Sequence, residues 1–227
     1  MNSDFDMPFY KRYGAIAGID ESGVTAIAGP IVSACVAIFQ SQTPLLQDVD
    51  DCKKITDKKL PGLAALIKLY CPYGIGVSSP LEIDILGVAK ATELSMMRAL
   101  ESCAERFPDN PIRHYLIDGK QPIRENYAQT AIPGGDTKSL CIGAASIIAK
   151  DRRDTLMTLL GEQRPEYNFA KNKGYASEEH LQGLDHRGLW VSVHRICTAP
   201  IKAKKSDSRD LIARRATWIA NTLGTDV

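Results

Sequence analysis

Apolar residues fall into short continuous runs in the first part of the chain and into helical patterns further on. Residues 13–19 and 30–39 are apolar runs rich in β-branched and small side chains, with glycines marking the turn between them. These features predict an early β-hairpin. Residues 73–79 and 113–120 predict two further short strands.

Helical periodicity follows each of these strand signals. Thr56 is predicted to cap a helix that follows it, and residues 80–107 predict a long helical region. Residues 138–162 predict another helix, which is buried because its first half is apolar all round. A last amphipathic helix is predicted from residue 203 onward. A hairpin followed by alternating strands and helices indicates an α/β domain with a mixed sheet.

Composition places the chain among ordinary globular proteins. The 227 residues are 44% hydrophobic and 24% charged, with a net charge of +1. Overall charge therefore does not indicate a nucleic-acid-binding protein, and any such surface must come from local basic patches. The six cysteines form no CxxC pair, so we expect reduced thiols and neither zinc sites nor disulfides. We expect a cytoplasmic protein without a signal peptide or membrane span.

Four carboxylates lie where predicted strands end or helices begin. Asp20 and Glu21 follow the first strand, Asp118 ends the fourth, and Asp136 precedes the buried helix. If they converge at one edge of the sheet, they repel one another unless a cation lies between them. Mg²⁺ prefers such oxygen ligands, and two ions about 4 Å apart can catalyse phosphodiester cleavage. Asp118 and Asp136, taken singly, are more typical of turn or cap residues than of metal ligands.

Five segments, taken together, resemble ribonuclease HII sequences. They read GIDESG…AGPIVSACVAI, DDCKKITDKKL, YLIDGK, GDTKSLCIGAASIIAKDRRD and NKGYASEEHLQGLDHRGLWVSVHR, in the order of the family, and cover roughly residues 14 to 200. The resemblance implies the α/β ribonuclease H-like fold, a mixed five-stranded sheet flanked by helices. It also implies a catalytic domain at residues 1–200. The basic residues and amphipathic pattern that follow predict a basic helical tail at residues 201–227.

The resemblance implies a divalent-metal-dependent endonuclease that uses two Mg²⁺ or Mn²⁺ ions. Its substrates would be RNA/DNA hybrids or duplex DNA that contains ribonucleotides, typically cut on the 5′ side of an embedded ribonucleotide. We expect a monomer. Two alternatives stay open: a nuclease of the same fold acting on DNA junctions or structured nucleic acid, and a duplex-binding protein without catalysis.

The resemblance also assigns roles to individual residues. Asp20, Glu21, Asp118 and Asp136 match the four catalytic, metal-binding acids of the family. Tyr175, in the NKGY motif, matches the tyrosine that packs on the sugar at the RNA–DNA junction. A flat apolar ring suits a deoxyribose, because a 2′-hydroxyl there would lose its water without gaining a partner.

The chain departs from the family in the segment that reads the 2′-hydroxyl. Where the family has Gly-Arg-Gly, this sequence has Gly23, Val24 and Thr25. Valine supplies no charged donor, and threonine resists positive φ and close backbone approach. Selectivity for a single embedded ribonucleotide is therefore less strongly predicted than metal-dependent cleavage. Asp151 also stands where the family has an apolar residue.

Basic residues within the matching segments are predicted to contact phosphate. Lys53, Lys54 and Lys173 are the main candidates, and such contacts would position a duplex without reading its sequence. His194 and Arg195 favour structural closure of the domain and phosphate contact about equally. His180 has no spacing typical of a metal ligand.

Overall fold

The computed structural model describes residues 3–46, 49, 56–108, 112–123 and 127–203. These residues form two compact units. The first contains the described residues within 1–24, 31–78 and 89–153, and the second those within 25–30, 79–88 and 154–227. The C-terminal helix predicted after residue 203 lies outside the described residues.

The first unit contains the sheet. Its strands are β1 (Ile16–Ser22), β2 (Ile31–Ile38), β3 (Tyr73–Ser78), β4 (His114–Asp118) and β5 (Gln129–Ile132). They are arranged in the order β3-β2-β1-β4-β5. β2 is antiparallel to β1 and to β3, whereas β4 is parallel to β1 and β5 is parallel to β4. The predicted α/β fold with a mixed five-stranded sheet is therefore confirmed.

The described α-helices begin before the sheet and continue to residue 203. They are α1 (Ser3–Tyr13), α2 (Leu60–Tyr70), α3 (Pro80–Leu86), α4 (Val88–Glu105), α5 (Leu140–Gln163), α6 (Phe169–Asn172), α7 (Glu178–Arg187) and α8 (Ala199–Ala203). Short 3₁₀ helices cover Gln40–Leu46, Gly135–Thr137 and Pro165–Tyr167.

The long helical region predicted over residues 80–107 is confirmed, and it is divided into two helices. Ser79 and Glu82 form a capping box at the start of α3. Gly87 then ends α3 with a φ of 79°, a value that favours glycine and interrupts helical geometry. A second helix, α4, begins at the next residue.

The predicted cap at Thr56 is wrong. Helix α2 begins at Leu60, and Lys59 precedes it without a side-chain cap. A proline at the start of the helix supplies the N-terminal signal instead, since its fixed φ suits the first helical turn. The carbonyl oxygen of Thr56 accepts hydrogen bonds from the backbone nitrogens of Lys59 and Leu60.

Helix α1 is absent from the sequence prediction, and Pro8 inside it weakens its local signal. A tertiary contact supports it, because the buried Asp6 accepts a hydrogen bond at 3.2 Å from the backbone nitrogen of Cys141. Asp6 thus caps the first turn of α5, whose nitrogens have no partners within their own helix.

Strand β1 lies between two apolar clusters of the first unit. Ile16 packs with residues of α5 on one face, and Ile19 packs with residues of α4 on the other. Alternation along the strand puts Gly18 and Asp20 on the α5 face and Glu21 on the α4 face. The backbone of α5 comes so close that a Cβ on Gly18 would collide with the backbone of Cys141.

The second unit has an aromatic core of its own. It includes Ile27, Met157, Tyr167, Phe169 and Leu184, all of them buried.

The five cysteines that the structure describes are free thiols, and four of them are buried. Among the described helices, none has both the length and the apolar character needed to cross a bilayer.

Candidate active site

The parallel pairing of β1 and β4 aligns two of the predicted acids. Ile19 is paired with Ile117, so Asp20 and Asp118 each follow a paired residue at the same edge of the sheet. Strand alternation puts both on the α5 face, with Ile16 and Leu116. Neighbouring parallel strands thus bring together two residues that are far apart in sequence.

Asp136 reaches the same edge through the loop after β5. Asp118 Oδ1 accepts a hydrogen bond at 2.6 Å from the backbone nitrogen of Gly135, the residue before Asp136. Asp136 lies in a short 3₁₀ helix and is 6% exposed. We call Asp20, Glu21, Asp118 and Asp136 the acidic centre.

Burial and mutual repulsion disfavour the ionised forms of the acidic pair. The pKa of Asp20 lies well above its ordinary value because the side chain is buried and because Glu21 is close to it. A hydrogen bond with Ser146 partly opposes this rise. Burial, followed by the charge of Asp118, raises the pKa of Glu21 to about 7. Glu21 is therefore close enough to Asp20 and Asp118 for their negative charges to oppose one another.

The acidic centre fits hard divalent cations in its chemistry. All of its donors are carboxylate oxygens, the ligands that Mg²⁺ and Mn²⁺ prefer. Glu21 Oε2 is buried and has no hydrogen-bond partner among the described residues, so it lacks the compensation that a buried oxygen needs. Within the described part of the chain, no three His, Cys, Asp or Glu side chains form a ready-made cluster for an ion. Without an ion between them, the carboxylates repel one another. Binding of an ion would therefore require these side chains to rotate towards it.

A pocket of about 250 Å³ in the first unit borders the acidic centre. Glu21 and Asp118 line it, together with Lys90, Glu93 and Gln121. The sequence prediction missed these last three residues. Lys90 and Glu93 are one turn apart on α4, so they lie on the same face of this helix. This spacing was the sequence signal that could have identified them as neighbours. The pocket therefore adds a cation and polar donors beside the carboxylates.

The changed tripeptide begins in the first unit with Gly23 and Val24. Gly23 is buried and has a φ of 92°. A Cβ on it would collide with the side chain of Arg153, which is itself fully buried. Gly23 is therefore required both for its backbone conformation and for this close contact. Val24 is half-buried.

Three other predicted substrate contacts, Thr25, Lys173 and Tyr175, lie in the second unit. Thr25 is exposed and Tyr175 is 41% exposed. Thr25 is not among the non-glycine residues with positive φ, so threonine is accommodated there without strain. Lys173 does have positive φ, and its ammonium donates a hydrogen bond at 2.8 Å to Thr158 Oγ1. Lys53 and Lys54 lie outside the described residues.

Two further residues singled out in the sequence have structural partners. Asp151 forms an ion pair with Lys68 at 2.7 Å, which explains an acid in a place where the family has an apolar residue. Arg195 is fully buried and donates hydrogen bonds to the carbonyl oxygens of Gly29 and Pro30. For Arg195, structural closure is therefore favoured over phosphate contact.

Comparison of the sequence with protein families gives one family match. The model described as Ribonuclease HII matches residues 17–196. A curated protein named Ribonuclease HII from Wolbachia pipientis subsp. Culex pipiens is 39% identical over 189 residues, covering 83% of this chain and 92% of the relative. Another with that name, from Thermotoga maritima, is 37% identical over 196 residues, covering 86% and 78%.

Solved structures show the same fold. The structure titled "Crystal structure of Bst-RNase HIII in complex with Mn2+" gives a TM-score of 0.71 at 18% identity, covering 88% of this chain and 70% of that one. The ribonuclease H2 from Pyrococcus horikoshii OT3 gives a TM-score of 0.69 at 21% identity, covering 89% and 99%. At these identities the likeness shows the ribonuclease H-like fold alone.

Proposed function

This chain belongs to the ribonuclease HII family, and from that premise we propose that the acidic centre is its catalytic site. The chain is an endoribonuclease of the ribonuclease H type, which acts on RNA–DNA hybrids, and the family depends on divalent metal ions. The proposal adds the residues that carry the chemistry, the number of ions and the preferred substrate.

Two ions would be held by the acidic centre. Asp20 would contact both, with Asp136 on one side and Glu21 and Asp118 on the other. When bound, such ions supply an activated water and stabilisation of the leaving oxygen. The products would be a 3′-hydroxyl and a 5′-phosphate, with the cut on the 5′ side of the ribonucleotide.

The hydrogen bond between Asp118 and Gly135 carries this proposal. It links the end of β4 to the loop of Asp136, while the pairing of β1 with β4 aligns Asp20 with Asp118. Asp20 and Asp136 are buried and Asp118 is half-buried, in a protein environment where uncompensated carboxylates are costly. That cost is reasonable in a centre built for cations, whereas a protein that only binds phosphate gains nothing from it.

Gly23, Val24 and Thr25 would read the 2′-hydroxyl. Gly23 keeps the first glycine of the family pattern and its positive φ, and the exposed Thr25 can offer its hydroxyl to the ribose. Tyr175 would pack on the deoxyribose that follows, and Lys173 would contact phosphate. Monomeric behaviour, a cytoplasmic location and a separate tail at residues 201–227 stay predictions.

Three end-labelled duplexes test the proposed substrate. One is all DNA, one contains a single ribonucleotide, and one is a continuous RNA–DNA hybrid, each incubated with Mg²⁺ and separately with Mn²⁺. We expect a cut on the 5′ side of the single ribonucleotide, no cut in DNA, and activity that falls steeply with salt.

Cleavage confined to the continuous hybrid would contradict selectivity for the embedded ribonucleotide. Cleavage of the all-DNA duplex would favour a nuclease with an altered substrate. Absence of cleavage on all three, with binding retained, would favour a duplex-binding protein.

Restoring the family tripeptide should sharpen selectivity. The double variant Val24→Arg, Thr25→Gly is expected to raise kcat/KM for the single-ribonucleotide duplex relative to the hybrid by about tenfold, since a hydrogen bond to a charged group contributes about 1.5 to 3 kcal/mol. The matched control is Val24→Lys, Thr25→Gly, which restores charge and glycine without the planar fork of arginine. An equal gain in both double variants would show that the planar fork of arginine is not needed and that charge together with glycine is sufficient.

A further inference from the structure

Two buried histidines of the second unit form a direct ring-to-ring hydrogen bond. Nε2 of His180 lies 3.1 Å from Nε2 of His194, and both side chains are fully buried. Neither residue belongs to the acidic centre. Because two nitrogens can share only one proton, one ring must donate and the other must accept.

The outer contacts decide which ring donates. Nδ1 of His180 lies 2.8 Å from the carbonyl oxygen of Tyr175, which only accepts, so this nitrogen carries a proton. Burial lowers the pKa of His180 and favours its neutral form. Its Nε2 therefore accepts the proton of His194 Nε2. Nδ1 of His194 then accepts from the backbone nitrogen of Trp190 at 2.9 Å, although the carbonyl oxygen of Trp190 is also close.

Aromatic rings surround this pair and restrict its rotation. Phe169 contacts the His180 ring edge-on, with centroids 5.0 Å apart. Tyr167 packs against the His194 ring with centroids 4.9 Å apart. Tyr167 and Phe169 are buried in the aromatic core. The imidazole orientations are therefore set by packing as well as by hydrogen bonds.

The pair connects the two segments that carry the substrate-reading residues of this unit. The backbone of His194 forms an antiparallel bridge with Ala28, three residues after Thr25. The carbonyl oxygen of Gly174, the residue before Tyr175, accepts hydrogen bonds from Ile27 and Ala28. The segment of Thr25 and the segment of Tyr175 are thus tied directly to each other and again through the histidines.

We propose that His180 is a positioning residue for substrate recognition, because it holds the backbone of Tyr175 while His194 selects the tautomer that can do so. This inference rests on the proposed role of Tyr175 at the RNA–DNA junction. His180 itself contacts no substrate. Its effect falls on substrates that contain such a junction, whereas a continuous hybrid has none.

Two isosteric variants separate positioning from stability. In His180→Asn the amide lies where Nδ1 was, so it keeps the donor to Tyr175 but leaves the Nε2 proton of His194 without an acceptor. In His180→Gln the amide lies where Nε2 was, so it satisfies His194 but releases Tyr175. The carbonyl oxygen of Tyr175 still accepts from the backbone nitrogen of Ser177 at 2.8 Å, so His180→Gln should be the more stable variant.

The test measures kcat and KM for the single-ribonucleotide duplex and for the continuous hybrid, together with Tm, on the full chain. We expect His180→Gln to raise KM for the single-ribonucleotide duplex by about tenfold with little change on the hybrid. His180→Asn should keep the wild-type substrate preference despite its lower Tm. If loss of preference follows loss of Tm instead, His180 has only a structural role and the inference is overturned.

A spectroscopic measurement tests the same inference without any substitution. Nitrogen-15 spectra of the wild-type imidazoles should show His180 as the neutral Nδ1–H tautomer at pH 7, and an Nε2–H or charged ring there would overturn it. Failure of the proposed function has a separate signature. In that case the wild type itself leaves the single-ribonucleotide duplex uncut, whereas failure of this inference leaves wild-type cleavage intact.

Discussion

Asp20→Asn is expected to abolish metal-dependent cleavage, with kcat/KM falling by at least about a thousandfold. Asp20 is 5% exposed, is aligned with Asp118 by strand pairing, and is the proposed ligand of both ions. A bound metal contributes several kcal/mol of transition-state stabilisation, and each 1.4 kcal/mol or so corresponds to about tenfold in rate. Cleavage of the single-ribonucleotide duplex with Mg²⁺ and with Mn²⁺ measures the effect.

Glu101→Gln is the matched control for loss of one negative charge. Glu101 lies on α4 in the same unit, is exposed, and is outside both the acidic centre and the pocket beside it. Its activity should stay within about twofold of wild type, because screened surface charges have small effects. If the Asp20→Asn variant is about as active as the control variant, Asp20 is not part of the catalytic site.

Stability shows whether lost activity reflects lost folding. Burial raises the pKa of Asp20, and that of Glu21 to about 7, so in chelator the folded state binds protons more tightly than the unfolded state. For Glu21, the stability linked to its proton is complete below the unfolded pKa of about 4 and is lost as pH rises through about 7; the raised pKa of Asp20 acts in the same direction. Asp20→Asn should therefore raise the free energy of unfolding at about pH 8 and flatten its dependence on pH. A large destabilisation by this substitution would contradict the conclusion that burial and repulsion disfavour the charged form of Asp20.

Gly18→Ala is expected to lower the stability of the fold strongly. A methyl group on Gly18 would collide with the backbone of Cys141 at the start of α5, and backbone atoms cannot move aside as a flexible side chain can. Overpacking of this kind costs about 3 kcal/mol. Because α5 must shift from β1, the edge that carries Asp20 is also disturbed, and we expect kcat to fall. Chemical denaturation and the cleavage assay measure the two effects.

Gly62→Ala supplies the control for this substitution. Gly62 lies in α2, and a Cβ there would meet no atom within 4 Å. Alanine favours helix over glycine by about 0.5 to 1 kcal/mol, so this variant should be as stable as wild type or more stable. Equal stability of the two variants would show that α5 has room to move from β1.

Local sequence patterns predicted most of the sheet. Strands β1 to β4 were expected near their observed positions because buried strands give short apolar runs bounded by glycine and polar residues. β5, with only four residues, three of them half-buried, gives no such run. The fifth strand was therefore expected only through the resemblance to the ribonuclease HII family.

The four acids of the acidic centre could be named from the sequence through the family resemblance, whereas spacing alone favoured Asp118 and Asp136 as turn or cap residues. The structure adds the register of β1 with β4 and the bond from Gly135 to Asp118. Both depend on residues far apart along the chain. No periodicity within one segment can report such a contact.

By itself, the sequence determined the α/β order of elements, the positions of the carboxylates and the family. Each of these depends on consecutive residues or on short motifs, which can be recognised without the structure. Tertiary structure alone decided that Asp6 caps α5, that Lys90 borders the acidic centre, and that His180 bonds to both His194 and Tyr175. The physical reason is that burial, close approach and the choice of a histidine tautomer depend on neighbours in space, which folding brings together from distant parts of the chain.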